Sequence, residues 1–352
     1  MAAARFDDLD RRILAGLQAD GRASWTTIAE RSGTSVATAA RRGRRLLADR
    51  TAQVAVVPTT IHHGRTVMYI MRLACRAGAQ AAVAAELVAH PRIRFLALVS
   101  GRFDLIAEVC TSAEESLFHQ LVSEYQCVDG VEWCETDLIL REHKVAQDWS
   151  SQLLAGESSA TVTPDPHVCD ADHLDEYDHA IIEVLGEDAR ASFSTIADRV
   201  GLDETTVRRR FETFSNRGCV RTLTLVPAPA LGFMSEVLLD VSVEPDQLHD
   251  VATRLASYPG VRFVADTLNG SSLLCEVIQP SEQALHGFVT GTLSRLGGVR
   301  GWEASVELLT VKRGFVETPW WRAELPTVEP ADPSPSMGGR RRRRAAVTSD
   351  SR

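Results

Sequence analysis

Thr38, Arg41, Arg42 and Arg45 recur at i, i+3, i+4 and i+7. On a helix that spacing puts three guanidinium groups and a hydroxyl on one face. Their chemistry is anion recognition, because a guanidinium fork matches phosphate oxygens or the O6/N7 edge of guanine. A second set, Thr205, Thr206, Arg209 and Arg210, occupies the matching stretch 168 residues on (206 − 38 = 168). Between 35 and 50 five Arg face only Asp49, whereas between 203 and 218 four Arg face Asp203, Glu204 and Glu212. The first set is expected to carry the stronger phosphate-attracting field. A merely solvated arginine face would show the same spacing, so the elements that carry the two sets decide the reading.

Those elements are written twice. Arg22-Ala23-Ser24-Trp25-Thr26-Thr27-Ile28-Ala29-Glu30-Arg31 returns as Arg190-Ala191-Ser192-Phe193-Ser194-Thr195-Ile196-Ala197-Asp198-Arg199, without a gap (190 − 22 = 168). A period this long marks a duplicated domain, since solenoid repeats run at about 20–50 residues. Each copy reads as three helices. Leu9, Ile13, Leu14 and Leu17 define the first over 9–19. Ser24 is the N-cap of the second, with Thr27 in the capping-box position, and Gly33 closes it. Ser35 caps the third, and Asp203 takes that place in the second copy. Two helices joined by a tight Gly turn form a helix-turn-helix, whose second helix enters the DNA major groove. Ala39, Gly43 and Leu46 face inward, as do Val207, Phe211 and Phe214. Ser24, Thr27, Ser35, Ser192 and Thr195 sit at helix starts, where phosphate contacts are common. Gly43 in the place of Phe211 predicts a thinner core and a less rigid first unit.

The chain of 352 residues allows two to four domains, and its net charge of −9 excludes nucleic-acid binding over the whole surface without excluding a local basic face. Seven scattered Cys without a C-x-x-C pair point to reduced thiols in a cytoplasmic protein. Cys75, Cys110 and Cys275 read as small apolar residues within strands. No apolar run reaches the ~18 residues of a membrane span, and no signal peptide precedes Phe6. No metal-ligand spacing or nucleophile–base pair stands out, so the reading includes no cofactor, no metal and no catalytic residue.

After each three-helix unit comes a short exit strand, at 53–58 and 220–227. The stretches 67–75, 79–89, 93–100, 104–110, 113–126 and 131–140 then alternate as β-α-β-β-α-β, the ferredoxin-like arrangement. The order returns at 234–243, 247–257, 261–268, 272–278, 282–296 and 299–309, with Asn269-Gly270 as a hairpin signal. Pro91 maps to Pro259 at the same offset, whereas Trp133 maps to Trp302 at 169, which implies one inserted residue. The domains are therefore set at 6–52 (first helix-turn-helix), 53–65 (connecting strand), 66–145 (first βαββαβ), 146–173 (linker), 174–220 (second helix-turn-helix), 221–233 (connecting strand), 234–317 (second βαββαβ) and 318–352 (disordered tail ending in Arg340–Arg344).

This two-part order, with Asp10, Ile13-Leu14, Arg22, Ile28-Ala29, Gly33-Thr34-Ser35, Arg41-Arg42 and Leu46, resembles the Lrp/AsnC family of transcriptional regulators over 7–145 and again over 175–317. The resemblance implies an α+β fold: a duplicated winged-type helix-turn-helix plus an AsnC-type βαββαβ domain, forming an intrachain pseudo-dimer. It further implies sheet-to-sheet packing of the β domains, double-stranded DNA as partner, homo-oligomer formation, and an amino acid or other small effector bound near the β-domain interface. The family's Gly-x-x-Asp hairpin pattern stands here as Gly101-Arg102-Phe103-Asp104, and Thr136 matches a family polar position, so Gly101, Phe103, Asp104 and Thr136 are the candidate effector residues. By its own chemistry Gly101 could equally serve the turn alone, and Asp104 its backbone alone. The second copy has Asn269-Gly270-Ser271-Ser272 there, without an Asp. The architecture also resembles the sirohaem decarboxylases, which occur as fused pairs with His-rich and Trp-Pro-Tyr-Asn-type stretches. The loop 100–104 has no such cluster, and His62-His63 lies outside it. A sensing or assembly protein that does not touch DNA is the third reading.

Overall fold

The structure, a computed structural model, describes residues 6–58, 66–112, 117–155, 173–269 and 273–325. In the first half α1 (Asp8–Ala19), α2 (Trp25–Ser32) and α3 (Val36–Ala48) form the helical unit. Each starts where the sequence supplies a cap: Asp7 accepts from Asp10 N–H, Ser24 from Thr27 N–H and Ser35 from Thr38 N–H. Gly33 ends α2 at φ 65°, a left-handed conformation. Then follow β1 (Gln53–Pro58), β2 (Thr66–Cys75), α4 (Gln80–Val88), β3 (Ile93–Val99), β4 (Leu105–Ser112), α5 (Leu117–Gln120), β5 (Val131–Val145) and α6 (Trp149–Ala155).

The second half repeats the order with α7 (Glu176–Glu187), α8 (Phe193–Val200), α9 (Glu204–Asn216), β6 (Val220–Leu225), α10 (Ala228–Leu231), β7 (Ser235–Val243), α11 (Leu248–Ser257), β8 (Val261–Thr267), β9 (Leu273–Gln279), α12 (Glu282–Gly291) and β10 (Val299–Arg313). A short β11 (Val316–Glu317) and α13 (Trp321–Glu324) close the described chain.

Each βαββαβ sheet has the ferredoxin-like strand order, and the two join edge to edge. The order runs β10-β3-β4-β2-β5-β8-β9-β7, and β7 pairs back onto β10 to close the ring. Closure leaves neither sheet an open edge. It also explains why the last strands outrun the expected ends at 140 and 309. Residues from Ile139 to Val145 pair with β8, and those from Glu307 to Arg313 pair with β3 of the other half. The expected sheet-to-sheet packing is present inside the ring, where Ile70, Phe95 and Ile106 meet Leu238, Ala265 and Leu274.

The offset of 168 survives to the end of the last strand. Cys134 pairs with Leu73 and Trp302 with Val241 (302 − 134 = 168; 241 − 73 = 168). Trp133 therefore corresponds to Gly301, and the inserted residue inferred from the two tryptophans does not exist. The exit strands pair with each other, and Ala55 lies opposite Leu223, its own counterpart (223 − 55 = 168). A local twofold axis passes through that pair.

Two boundaries need correction. The linker 146–173 begins with an ordered helix: Trp149 is buried against Phe233, and Ser150 N–H donates to Gln18 Oε1 of α1. The segment from 318 is anchored up to 325, since Trp321 is fully buried in the helix–sheet core of the first half and donates to Glu317. Apolar indoles followed by short helices hold these segments where composition alone reads as linker. His62-His63, Gly270 and Arg340–Arg344 lie outside the described residues.

Candidate nucleic-acid interface

The third helix of each unit exposes the predicted face. Arg41 and Arg45 are exposed and Thr38 is half-buried on α3; Arg44, absent from the sequence-derived set, is exposed beside them. On α9 Thr205, Arg208 and Arg209 are exposed and Thr206 is half-buried. Arg208 was missed as well, although it extends the same charged face. The asymmetry in field persists, because Arg208 is held by Glu204 at 3.0 Å on its own helix, whereas Arg41 and Arg44 have no carboxylate partner among the described ion pairs. Ser24 Oγ lies 2.9 Å from Thr27 Oγ1, and Ser192 Oγ lies 2.7 Å from Thr195 Oγ1, at the starts of α2 and α8. Thr206 gives its hydroxyl proton to Asp203, and Ser35 donates to Thr38.

Arg42 and Arg210, expected to face DNA, are engaged within their own units. Arg42 Nη1 donates to Asp7 at 2.6 Å and to Asp10 at 3.0 Å. Arg210 Nη1 repeats this with Asp175 at 2.8 Å and Asp178 at 3.0 Å. These carboxylates raise both guanidinium pKa values, the side-chain hydrogen bond donated to Asp7 or Asp175 contributing most. Each arginine ties the third helix to the start of the first, on the side where both were expected to meet phosphate. Arg45 stays half-exposed despite a 3.4 Å contact with Asp10.

Gly43 leaves no hole. A Cβ there would lie 2.2 Å from the Trp25 ring, so the indole occupies the space that Phe193 and Phe211 share in the second unit. The first unit is also braced by α6 and α10, because its core includes Trp149, Leu231 and Phe233. The expectation of a thinner first core is overturned by this exchange of volume between two helices.

No local pattern marks the contact that joins the units. Arg22 donates to the carbonyls of Ala189 and Ala191, and Arg190 donates to those of Gly21 and Ala23. The contacts are reciprocal at the same offset (189 − 21 = 168; 191 − 23 = 168), as in an isologous dimer interface. Arg22 lies over Phe193 at 5.1 Å and Arg190 over Trp25 at 4.5 Å. Burial lowers both guanidinium pKa values, yet arginine stays charged at any working pH. The identity of Arg22 and Arg190 within the repeat was the available clue.

A second reciprocal pair locks the β domains. Lys144 Nζ donates to Tyr258 O at the end of α11, and Lys312 Nζ donates to Val88 O and His90 O at the end of α4. Burial lowers each ammonium pKa to about 8. The C-terminal carbonyls of a helix are favourable partners for a cation.

The candidate effector residues are not brought together. Asp104 accepts from Cys75 N–H at 2.7 Å and from Gln80 Nε2 at 3.1 Å, so both carboxylate oxygens hold the end of β2 and the start of α4. Gly101, at φ 113°, packs against Ala304 and Ser305 of β10. Phe103 stacks on Trp133 at 5.1 Å, with Arg102 over both rings. Thr136 pairs with Met71 on the far side of β2 from β4, two strand spacings or about 10 Å away. Cys75, Cys110 and Cys275 are buried as expected, and burial pushes the thiols up, to about 11 for Cys75 and about 12 for Cys110.

Residues 6–47 and 174–213 match the AsnC-type helix-turn-helix domain, and residues 236–316 match the Lrp/AsnC ligand binding domain. An uncharacterized HTH-type transcriptional regulator of Pyrococcus furiosus is 30% identical over 143 residues, covering 40% of this chain and 97% of that protein. The HTH-type transcriptional regulator LrpA of Pyrococcus horikoshii is 27% identical over 127 residues, 36% of this chain and 90% of that protein. Among solved structures, the siroheme decarboxylase NirDL aligns with 90% of this chain and 98% of its own, at a TM-score of 0.54 and 15% identity, a likeness of fold alone. Fold and sequence together define a helix-turn-helix protein of the regulator class. The chain belongs to the Lrp/AsnC family; its helix-turn-helix part matches twice and its ligand binding domain once, while the βαββαβ fold is present in both halves. Among the described residues no helix is long and apolar enough to cross a membrane.

Proposed function

We propose that this chain is a sequence-specific DNA-binding transcriptional regulator whose two recognition helices, α3 and α9, are carried by one polypeptide. The observation that carries the reading is the pair of exposed faces, Arg41-Arg44-Arg45 and Thr205-Arg208-Arg209, on helices that follow capped helices with Gly turns. Family membership supports it. Because the two faces differ, the operator is an imperfect palindrome with its half-sites read separately. In this reading the chain acts by binding and not by catalysis, and sirohaem added to it is expected to be recovered unchanged. Regulation by a small effector belongs to the same reading, through residues other than Asp104, whose oxygens are already engaged. Assembly of several chains is expected from the family and is read out by sedimentation.

The test is selection of bound duplexes from a random pool, with and without mixed amino acids. Two unlike half-sites and an affinity that falls steeply with salt are expected. Failure to bind any duplex at low salt, or selection of a perfectly symmetric site, overturns the proposal.

A further inference from the structure

A cavity of about 590 Å³ lies between the start of the first half, the α10 segment and β10. At its inner end Glu236, Arg262, Glu307 and Arg313 come together. The two arginines are both gripped by Glu276: Arg262 Nε at 2.8 Å, and Arg313 through two bonds at 3.1 and 2.8 Å. That leaves two further carboxylates. Arg262 reaches Glu236 at 3.2 Å, and Arg313 Nη2 reaches Glu307 Oε1 at 3.1 Å. Glu307 Oε2 accepts no hydrogen bond among the described residues, with Arg262 Nη2 3.7 Å away, although its side chain is 1% exposed. Three carboxylates against two guanidiniums leave an excess of one negative charge when all are ionised.

The first half carries a smaller cluster at this place, with Arg94 between Glu108 and Glu142. Arg94 and Glu108 correspond to Arg262 and Glu276 (262 − 94 = 168; 276 − 108 = 168). At the same offset Glu236 replaces Met68, Glu307 replaces Ile139 and Arg313 replaces Val145. Three apolar positions of one half have become charged in the other, and all three line one cavity. Gln18, Thr224, Thr310, Thr318 and Glu324 are its other polar lining residues, and the rest is apolar, with Trp149 and Phe233 inside and Met234 and Leu308 more than half exposed at 66% and 63%.

We propose that this cavity binds a primary amine on an apolar body, with the ammonium donating to Glu307 Oε2 beside Glu236 and the body lying along Trp149 and Phe233. The orphaned oxygen needs a donor, and the surplus charge needs a cation. Each guanidinium already faces at least two carboxylates, so the carboxylate of a free amino acid would add to an excess of negative charge, and the site discriminates against zwitterions. Burial pushes the Glu307 carboxyl up to about 8, Arg313 and Arg262 pulling it down less than burial and the two neighbouring glutamates raise it. A buried acid so placed is the partner an ammonium would ionise. The site deepens the effector reading, yet it stands or falls without DNA.

The test is calorimetric titration of the full chain with 2-phenylethylamine, phenylalanine and 2-phenylethanol. The amine is expected to bind at least tenfold more tightly than the other two. Glu307→Gln and Glu236→Gln are each expected to weaken the amine at least tenfold and to leave the alcohol unchanged, with unaltered circular dichroism showing that the fold persists. Equal binding of phenylalanine, no binding of the amine to the unaltered chain, or full amine affinity in both variants overturns the assignment. DNA binding by the free chain is measured in parallel. Its loss would count against the regulator reading and not against the amine site.

Discussion

In the first helix-turn-helix unit one indole fills the space between the second and third helices, while in the second unit two phenyl rings share it. Trp25 faces Gly43; Phe193 lies 5.5 Å from Phe211. Volume between the helices is kept, although no single position keeps its size. The polar side of α3 was then free to diverge. It gained Arg44 where α9 has Glu212, and α9 gained Arg208 where α3 has Ala40. Duplicated units thus hold what packs them together and differ in what they present outward.

The comparison breaks most readily at the core. Phe211→Gly opens a cavity and places a glycine inside a helix, and should cost about 4 kcal/mol in urea unfolding. Gly43→Phe forces a ring into the Trp25 site and should cost about 3 kcal/mol, whereas Trp25→Phe with Gly43→Phe together should return to within about 1 kcal/mol of the parent. A neutral Gly43→Phe would show that the exchange of volume is illusory.

Next in size is the clamp between units. Arg22→Ala and Arg190→Ala each remove charged hydrogen bonds to two carbonyls and should each cost about 2 kcal/mol. Their reciprocity requires similar losses. A large effect at one position and none at the other would deny the pseudo-twofold relation.

The smallest change in stability separates positioning from recognition. Arg42→Ala and Arg210→Ala should each lower stability slightly and leave the salt dependence of DNA binding unaltered. Arg41→Ala should leave stability within about 0.5 kcal/mol and reduce the slope of log K against log salt by about 1. Arg209→Ala tests whether the second face acts in the same way. An altered slope for Arg42→Ala would return that residue to the DNA contacts.

Element order was legible because periodicity, caps and Gly stops are local. Ser24, Ser35 and Asp203 cap where their side chains predict, and Gly33 stops α2 where its left-handed backbone allows. The face of α3 was legible for the same reason. What escaped depends on partners far along the chain. Asp7 and Asp10, more than 30 residues away, take Arg42 from that face. Lys144 and Lys312 bond to backbone carbonyls, which carry no sequence signal. The last strands ran past 140 and 309 because the opposite half supplies their partners, whereas the backbone N–H that Asp104 holds fits the alternative its chemistry already offered.

The account rests on one chain doing what two separate subunits otherwise do. Native mass spectrometry on a selected duplex, with footprinting of the same complex, measures this directly. One chain for every two protected half-sites is the predicted ratio, whatever the size of the assembly. One chain for each half-site, with α3 or α9 idle, would contradict it.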